Sequence, residues 1–97
     1  GIVAPFVEAH NVSAWAQYTV QVEARDQVQE QLKATGVSTA VHYPIPLNRQ
    51  PAVKDEAASL PVGDAIAERV MSLPMHPYLD EAAQVLVVNS LEGSLRA

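Results

Sequence analysis

The sequence predicts an α+β fold in which a small sheet of about three strands packs with about three helices. Two kinds of pattern carry this prediction: one run alternates apolar and polar residues, and later runs repeat apolar residues every three or four positions. The 97 residues, 48% of them hydrophobic, leave room for one core. Residues 1–97 are therefore predicted to form a single domain.

The first strand with a clear signal is predicted over residues 17–23, where apolar and polar side chains alternate. Because Tyr18, Val20 and Val22 fall on one face, this period of two predicts a half-buried strand. The preceding residues 1–15 mix a proline and polar residues with short apolar groups. They are interpreted either as a short first strand or as a connector from a preceding domain.

A helix is predicted over residues 26–35, directly after this strand. Asp26 and Gln29 have the spacing of a capping box at its start, and Gly36 supplies a residue that commonly ends a helix. A second strand is predicted over residues 37–43, where β-branched residues again alternate. The order of strand, helix and strand suggests a split βαβ arrangement.

A long loop is predicted over residues 44–59, because three prolines argue against regular structure in its first half. Loops of this length in a compact domain are uncommon and often functional. A second helix is predicted from Pro61, at a favoured first position, along an apolar stripe that ends at Pro74. Residues 72–75 are also interpreted as a short edge strand, where proline is tolerated.

The end of the chain is predicted to be a turn followed by a third helix. Residues 76–79, His-Pro-Tyr-Leu, form the turn, and Asp80 is a suitable cap for the helix. One face of that helix is apolar at helical spacing. The residues on this face are Ala83, Val87, Leu91 and Leu95.

Composition and charge argue against several classes of protein. The net charge is −5 and the six Lys and Arg residues are scattered, which argues against nucleic-acid binding. There is no cysteine, so disulfides, thiolate metal sites and cysteine nucleophiles are excluded. No apolar run approaches the ~20 residues of a membrane helix and no leader is visible, so a cytoplasmic protein without membrane contact is expected. The start at Gly1 instead of methionine favours a fragment of a longer protein.

The spacing of residues does not support a metal site or a nucleophilic triad. His10, His42 and His76 lie far apart and form no ligand pair at helical or hairpin spacing. Scattered serines could be combined with His42 and Asp64, but no G-x-S-x-G elbow is present. Glycine-rich phosphate loops are absent as well.

Asp64 and Glu68 lie four residues apart on the predicted second helix. Such a pair on a polar helix face is usually solvated, so no acid–base role is inferred for it. Asp64 lies in the first turn, where the helix dipole favours a negative charge.

One segment combines reactive side chains with an unusual backbone: His42-Tyr43-Pro44-x-Pro46. Adjacent strand residues point to opposite faces, but a proline holds the residue before it extended, so both rings can reach the rim of the sheet. Imidazole and phenol can hydrogen-bond and can stack on a flat ring such as a nucleobase. The structural alternative is that His42 is a hydrogen-bonded sheet residue and Tyr43 lies at the edge of the core.

Eight segments of the chain follow one another in a specific order and spacing. They are Q-Y-T-V at 17–20, R-D at 25–26, G-V at 36–37, T-A-V-H-Y-P-I-P-L at 39–47, Q-P-A at 50–52, L-P-V at 60–62, A-E-R-V at 67–70 and S-L-P-M-H-P at 72–77. This series covers about residues 15–91 and resembles the C-terminal small domain of the DegT/StrS-type sugar aminotransferases. Within the family it looks most similar to the enzymes that aminate C3 of a UDP-linked 3-keto-N-acetylglucosaminuronic acid for surface polysaccharides such as O-antigen.

The resemblance implies a full-length homodimeric enzyme of type I aminotransferase fold. It would use pyridoxal phosphate as cofactor, glutamate as amino donor and a UDP-sugar as acceptor. The Schiff-base lysine would lie in a large domain outside these residues, because neither Lys33 nor Lys54 matches the family's lysine motif. The 97 residues alone are therefore expected to be inactive and to contain no catalytic, cofactor-binding or metal-binding residue.

The resemblance also implies substrate-binding residues. In the family the H-Y-P segment helps to line the nucleotide-sugar site at the dimer interface. Substrate binding is accordingly predicted for His42 and Tyr43, and for Asn48 and Arg49 in the loop that follows. Many relatives have a histidine in place of Asn48, and the uncharged asparagine argues against an acid or electrostatic role at this position.

A function of another class is the alternative. The chain would then be a stand-alone ferredoxin-like module that binds a ligand or a partner without catalysis. This alternative predicts a complete gene of about this length. The aminotransferase interpretation predicts an upstream coding region with a lysine-bearing large domain.

Overall fold

The computed structural model describes residues 1–76 and 78–96. Within these residues three strands and three helices are present, so the predicted α+β class is confirmed. In chain order they are β1 (Ile2–Val3), β2 (Tyr18–Val22), α1 (Arg25–Ala34), α2 (Pro61–Ala67), β3 (Val70–Leu73) and α3 (Glu81–Arg96). A single 3₁₀ turn, Leu47–Arg49, lies in the long loop between α1 and α2.

The three strands form an antiparallel sheet in the order β1-β2-β3. The strand predicted over residues 17–23 is confirmed, and its inner residues Val20 and Val22 are buried. Opposite Val20 lies Met71 of β3, which is completely buried. Residues 1–15 contain a short first strand, β1, which pairs with the end of β2.

The strand predicted over residues 37–43 is wrong, because this segment forms a single bridge, between Ala40 and Ser72 of β3. Each residue donates its N–H to the other's carbonyl oxygen, at 3.1 Å from Ala40 and 2.7 Å from Ser72. In an antiparallel ladder the next such pairs would be Ser38 with Pro74 and His42 with Val70.

Neither of these two pairs extends the ladder, because in each pair one backbone group of β3 is missing or already hydrogen-bonded. Pro74 has no N–H to donate. The carbonyl oxygen of Val70 accepts a hydrogen bond from the guanidinium of Arg25 at 3.2 Å. The split arrangement itself is present, since β3 lies between β2 and Ala40. The ladder, however, stops after one pair.

Helix α1 begins one residue before the predicted start and without the predicted capping box. Its N-cap is Ala24, a left-handed residue without a capping side chain. The carboxylate of Asp26 instead accepts a hydrogen bond from Arg25 Nε at 2.8 Å. At the other end Gly36 has φ +87°, and the Val37 N–H reaches the Leu32 carbonyl at 2.9 Å. The predicted glycine cap is therefore confirmed as a Schellman motif.

Helix α2 starts at Pro61 as predicted, but it ends at Ala67 and does not run to Pro74. In a longer helix the Ala67 carbonyl would accept an N–H from four residues later. Here it accepts a hydrogen bond from the buried Arg25 guanidinium at 2.7 Å. The chain then enters β3, so an edge strand is present two residues before the predicted residues 72–75.

The third predicted helix is confirmed as α3. Its cap is Asp80, whose carboxylate accepts the Ala83 N–H at 2.8 Å. The predicted apolar face packs against the core, where Leu91 is buried and Val87 and Leu95 are partly buried. The predicted turn over residues 76–79 includes Pro77, which lies outside the described residues.

The core lies between the sheet and helices α1 and α3. Its buried residues are Val20, Val22, Val28, Leu32, Val37, Met71 and Leu91. The long loop contains the 3₁₀ turn, contrary to the prediction that its first half has no regular element. Among the described helices none is long and apolar enough to cross a membrane.

We expect Gly36→Ala to lower the free energy of unfolding by about 1 kcal/mol, since a Cβ disfavours the left-handed conformation. Urea denaturation would measure the loss. An added Cβ meets nothing within 4 Å at Gly36 or at Gly63, so crowding does not contribute at either site. Gly63→Ala, inside α2, is the matched control and should raise stability by up to about 1 kcal/mol. Equal stability of Gly36→Ala and the parent would contradict the role of this cap.

Candidate functional site

His42 and Tyr43 lie where the chain leaves the sheet, two residues after the Ala40 bridge. Both side chains are exposed, and 69% of Tyr43 is accessible to solvent. Their rings meet edge to face, with centroids 5.4 Å apart and an angle of 74° between the planes. Tyr43 is thus not a residue at the edge of the core, and the structural alternative for it is wrong.

His42 is also connected to the sheet through a buried and a partly buried hydroxyl group. Its Nδ1 lies 3.5 Å from the Oγ of Ser72, a serine that is only 5% exposed. The Ser72 hydroxyl lies 2.9 Å from Thr19 Oγ1 on the neighbouring strand. Ser72 lies on the Nδ1 side of the ring, and the Nε2 nitrogen makes no hydrogen bond within the described residues.

Sequence reasoning gave no functional role to Thr19 and Ser72. A serine and a threonine are common residues, and each lies in a strand that reads simply as a sheet element. The register places Thr19 directly opposite Ser72, and Ala40 pairs with Ser72 from the other side. No local sequence signal encodes this contact, because it depends on how three distant segments pair.

An open groove of about 430 Å³ runs beside His42. Its lining residues are Ala16, Gln17, Ser38, Thr39, Ala40, His42, Ser72, Leu73, Pro74 and Met75. Most of these come from the T-A-V-H-Y-P and S-L-P-M motifs, so two sequence motifs that are 30 residues apart share one surface. The Oγ1 atom of Thr39 is buried and has no hydrogen-bond partner in the described part of the chain.

Asn48 and Arg49, the second predicted pair, both contact Asp64 at the start of α2. Asn48 Nδ2 donates to one carboxylate oxygen at 3.3 Å, and Arg49 Nη2 donates to the other at 3.1 Å. The Asp64 side chain is only 18% exposed. Its interpretation as a solvated carboxylate is therefore wrong, because a loop 15 residues away folds over it.

The structure brings the predicted residues together as two pairs. His42 contacts Tyr43, while Asn48 and Arg49 share Asp64. In the part of the chain that the structure describes, no hydrogen bond or ring contact joins one pair to the other. Both pairs lie on the same proline-rich segment, at its start and in its 3₁₀ turn.

The two lysines of the chain, Lys33 and Lys54, both lie on its surface. Lys33 is an exposed residue near the end of α1. Lys54 is 54% exposed and forms an ion pair with Glu56 at 3.2 Å. Neither lysine lies in an enclosed pocket suited to a Schiff base. Residues 1–76 and 78–96 likewise contain no cluster of histidine and carboxylate side chains that could hold a metal ion.

Comparison with known sequences gives a consistent result. The profile of the DegT/DnrJ/EryC1/StrS aminotransferase family matches residues 2–92. A UDP-2-acetamido-2-deoxy-3-oxo-D-glucuronate aminotransferase of Pseudomonas aeruginosa is 62% identical over 91 residues, which are 94% of this chain and 25% of that protein. A UDP-N-acetyl-3-dehydro-alpha-D-glucosamine 3-aminotransferase of Acidithiobacillus ferrooxidans is 46% identical over 67% of this chain and 18% of its own length.

Solved structures give the same fold. A DegT DnrJ EryC1 StrS aminotransferase from Brucella abortus superimposes with a TM-score of 0.86 and 39% identity over 95% of this chain and 26% of its own. The DesV protein of Streptomyces venezuelae, in complex with a ketimine intermediate, gives a TM-score of 0.90 and 32% identity over 100% of this chain and 27% of its own. The chain thus spans about a quarter of the length of the proteins it matches.

We expect Ser72→Ala to lower the free energy of unfolding by about 1 kcal/mol, because it leaves the Thr19 hydroxyl without its partner. Replacing both partners, with Thr19→Val and Ser72→Ala together, should recover most of this loss, since no polar atom is then stranded. Urea denaturation of the four proteins in the cycle measures the coupling. Ser38→Ala, at an exposed serine, is the control. Strictly additive effects would show that the two hydroxyls do not interact.

Proposed function

Because the chain belongs to the DegT/DnrJ/EryC1/StrS aminotransferase family, as its motifs predicted, we propose that it is the C-terminal small domain of a nucleotide-sugar aminotransferase. The full protein would transfer an amino group from glutamate to C3 of a UDP-linked 3-oxo sugar. The observation that carries this proposal is the 62% identity to the Pseudomonas aeruginosa enzyme across 94% of the chain.

Under this proposal the remainder of the polypeptide supplies the cofactor site. Pyridoxal phosphate bound there would supply the chemistry for moving an amino group from glutamate to the sugar. Support comes from the exposed positions of Lys33 and Lys54, and from a Bacillus subtilis protein solved with bound PMP, which is 28% identical over 99% of this chain. The 97 residues then contribute to substrate binding and perform no chemistry on their own.

His42 and Tyr43 are the residues proposed to contact the UDP-sugar. Both are exposed beside the groove, and each combines a flat ring with a polar atom that can donate or accept a hydrogen bond. With Ser72 beside Nδ1, the Nε2 atom of His42 is free to meet a polar group of the ligand. Asn48 and Arg49 are proposed to bind the same substrate from the 3₁₀ turn.

The wider setting is also proposed from the relatives. We infer that the full-length enzyme is a cytoplasmic homodimer and that its aminated product serves the synthesis of a surface polysaccharide such as O-antigen. The alternative, a stand-alone ligand-binding module, differs from the aminotransferase in one measurable respect: it requires no further polypeptide to bind its ligand. Reading the coding region upstream of Gly1 separates the two proposals.

The full-length protein is expected to show a cofactor absorbance band that changes on addition of glutamate and returns on addition of the UDP-linked 3-oxo sugar. The sugars named for the Pseudomonas aeruginosa and Acidithiobacillus ferrooxidans relatives differ at C6, where only the glucuronate has a carboxylate. The higher identity to the glucuronate enzyme predicts a larger kcat/KM for the 3-oxo-glucuronate than for the 3-dehydro-glucosamine. Absence of any glutamate response would refute the aminotransferase proposal, and the opposite preference would refute the substrate.

We expect His42→Ala in the full-length enzyme to raise the KM for the UDP-sugar about tenfold or more, as loss of one hydrogen bond to a charged ligand predicts. The cofactor absorbance and the glutamate reaction should stay unchanged. His10→Ala is the matched control, because His10 is also exposed but lies in the N-terminal segment. Loss of the cofactor from His42→Ala would show that the residue does not belong to the sugar site.

A further inference from the structure

Asp64 receives a hydrogen bond on each of its two carboxylate oxygens, and both donors come from adjacent loop residues. Asn48 Nδ2 contacts Oδ1 at 3.3 Å and Arg49 Nη2 contacts Oδ2 at 3.1 Å. This carboxylate is only 18% exposed and accepts hydrogen bonds from two side chains. It therefore holds the loop against the start of α2. The contact links a proline-rich loop to a regular helix.

Both donors keep binding capacity after this contact. A guanidinium has five N–H donors, and Arg49 uses one of them on Asp64 without any further hydrogen bond inside residues 1–76 and 78–96. The Arg49 side chain is 53% exposed, so its other donors are accessible. The Asn48 amide nitrogen has two N–H donors and uses one of them on Asp64.

The backbone around these residues supports the same arrangement. The Asn48 carbonyl accepts the Asp55 N–H at 3.0 Å, and the Gln50 side chain donates to the Ile45 carbonyl at 3.3 Å. The loop is therefore closed on itself locally, while Asp64 ties it to the helix. An arginine held in one geometry loses less rotamer freedom when it binds an anion than a free one does.

We propose that Asp64 is a positioning residue that holds Asn48 and Arg49 as an oxyanion subsite for the nucleotide-sugar substrate. This inference rests on the proposed function, which supplies the substrate. The ligand group is a phosphate or carboxylate oxygen, because a guanidinium with uncommitted donors recognises either in the same way. The C6 carboxylate and the diphosphate of the substrate are the two sources of that group.

The test is equilibrium binding to the full-length protein by calorimetry, with three ligands that differ in their anionic groups. UDP carries the diphosphate, UDP-N-acetylglucosamine adds a neutral sugar, and UDP-N-acetylglucosaminuronate adds the carboxylate. Asp64→Ala is expected to weaken binding about tenfold, and Asp64→Asn, which retains one acceptor, by less. Weakening with all three ligands identifies the diphosphate, and weakening with the uronate alone identifies the carboxylate.

Glu68→Ala is the matched control, because Glu68 is an exposed carboxylate one turn further along the chain. It should leave binding, the thermal midpoint and the glutamate reaction unchanged. In a double-mutant cycle, Asp64→Ala should add little to Arg49→Ala, since Asp64 acts through that side chain. A purely structural role would instead lower the thermal midpoint and the glutamate reaction together, and would overturn the proposal.

Unchanged affinity for all three ligands in Asp64→Ala would also overturn it. So would tighter binding, because it would mean that Asp64 competes with the ligand for Arg49. The glutamate reaction of the parent protein is an independent measurement. If that reaction is absent the aminotransferase proposal fails, while the binding series still decides whether Asp64 positions an oxyanion subsite.

Discussion

The Ala40–Ser72 backbone pair determines where the candidate site lies. Its two hydrogen bonds attach the chain after α1 to β3, and the ladder goes no further. The pairing is blocked on one side by Pro74, which lacks a donor, and on the other by Arg25, which occupies the Val70 carbonyl. The chain therefore leaves the sheet at His42, and the two exposed rings follow from this departure.

Arg25 has a second consequence for the fold. Its buried guanidinium also donates a hydrogen bond to the Ala67 carbonyl. One side chain from the first turn of α1 therefore binds both the end of α2 and the start of β3. A buried cation requires such partners because it has left water. The position of β3, and with it Ser72, thus depends on an arginine some 40 residues earlier in the sequence.

The two predicted residue pairs of the candidate site are held in place in the same way. A residue that faces solvent is held by a less exposed polar residue from a distant segment: His42 by Ser72, and Arg49 by Asp64. Proline-rich loops lack regular backbone hydrogen bonding, so side-chain contacts of this kind are needed to fix their geometry. The loop gains a defined shape with one short 3₁₀ turn, and the side chains of His42, Tyr43 and Arg49 remain exposed.

The sequence by itself determined several local elements and the family. Strict alternation predicted β2, helical spacing predicted α3, and Gly36 predicted the end of α1. The ordered H-Y-P and S-L-P-M motifs predicted the family. Tertiary structure decided the rest. The apolar stripe after Pro61 forms a short helix and a strand, because its second half pairs with β2 while a distant arginine binds the Ala67 carbonyl. The roles of Ser72 and Asp64 likewise depend on partners that only folding brings within hydrogen-bond distance, which no local pattern records.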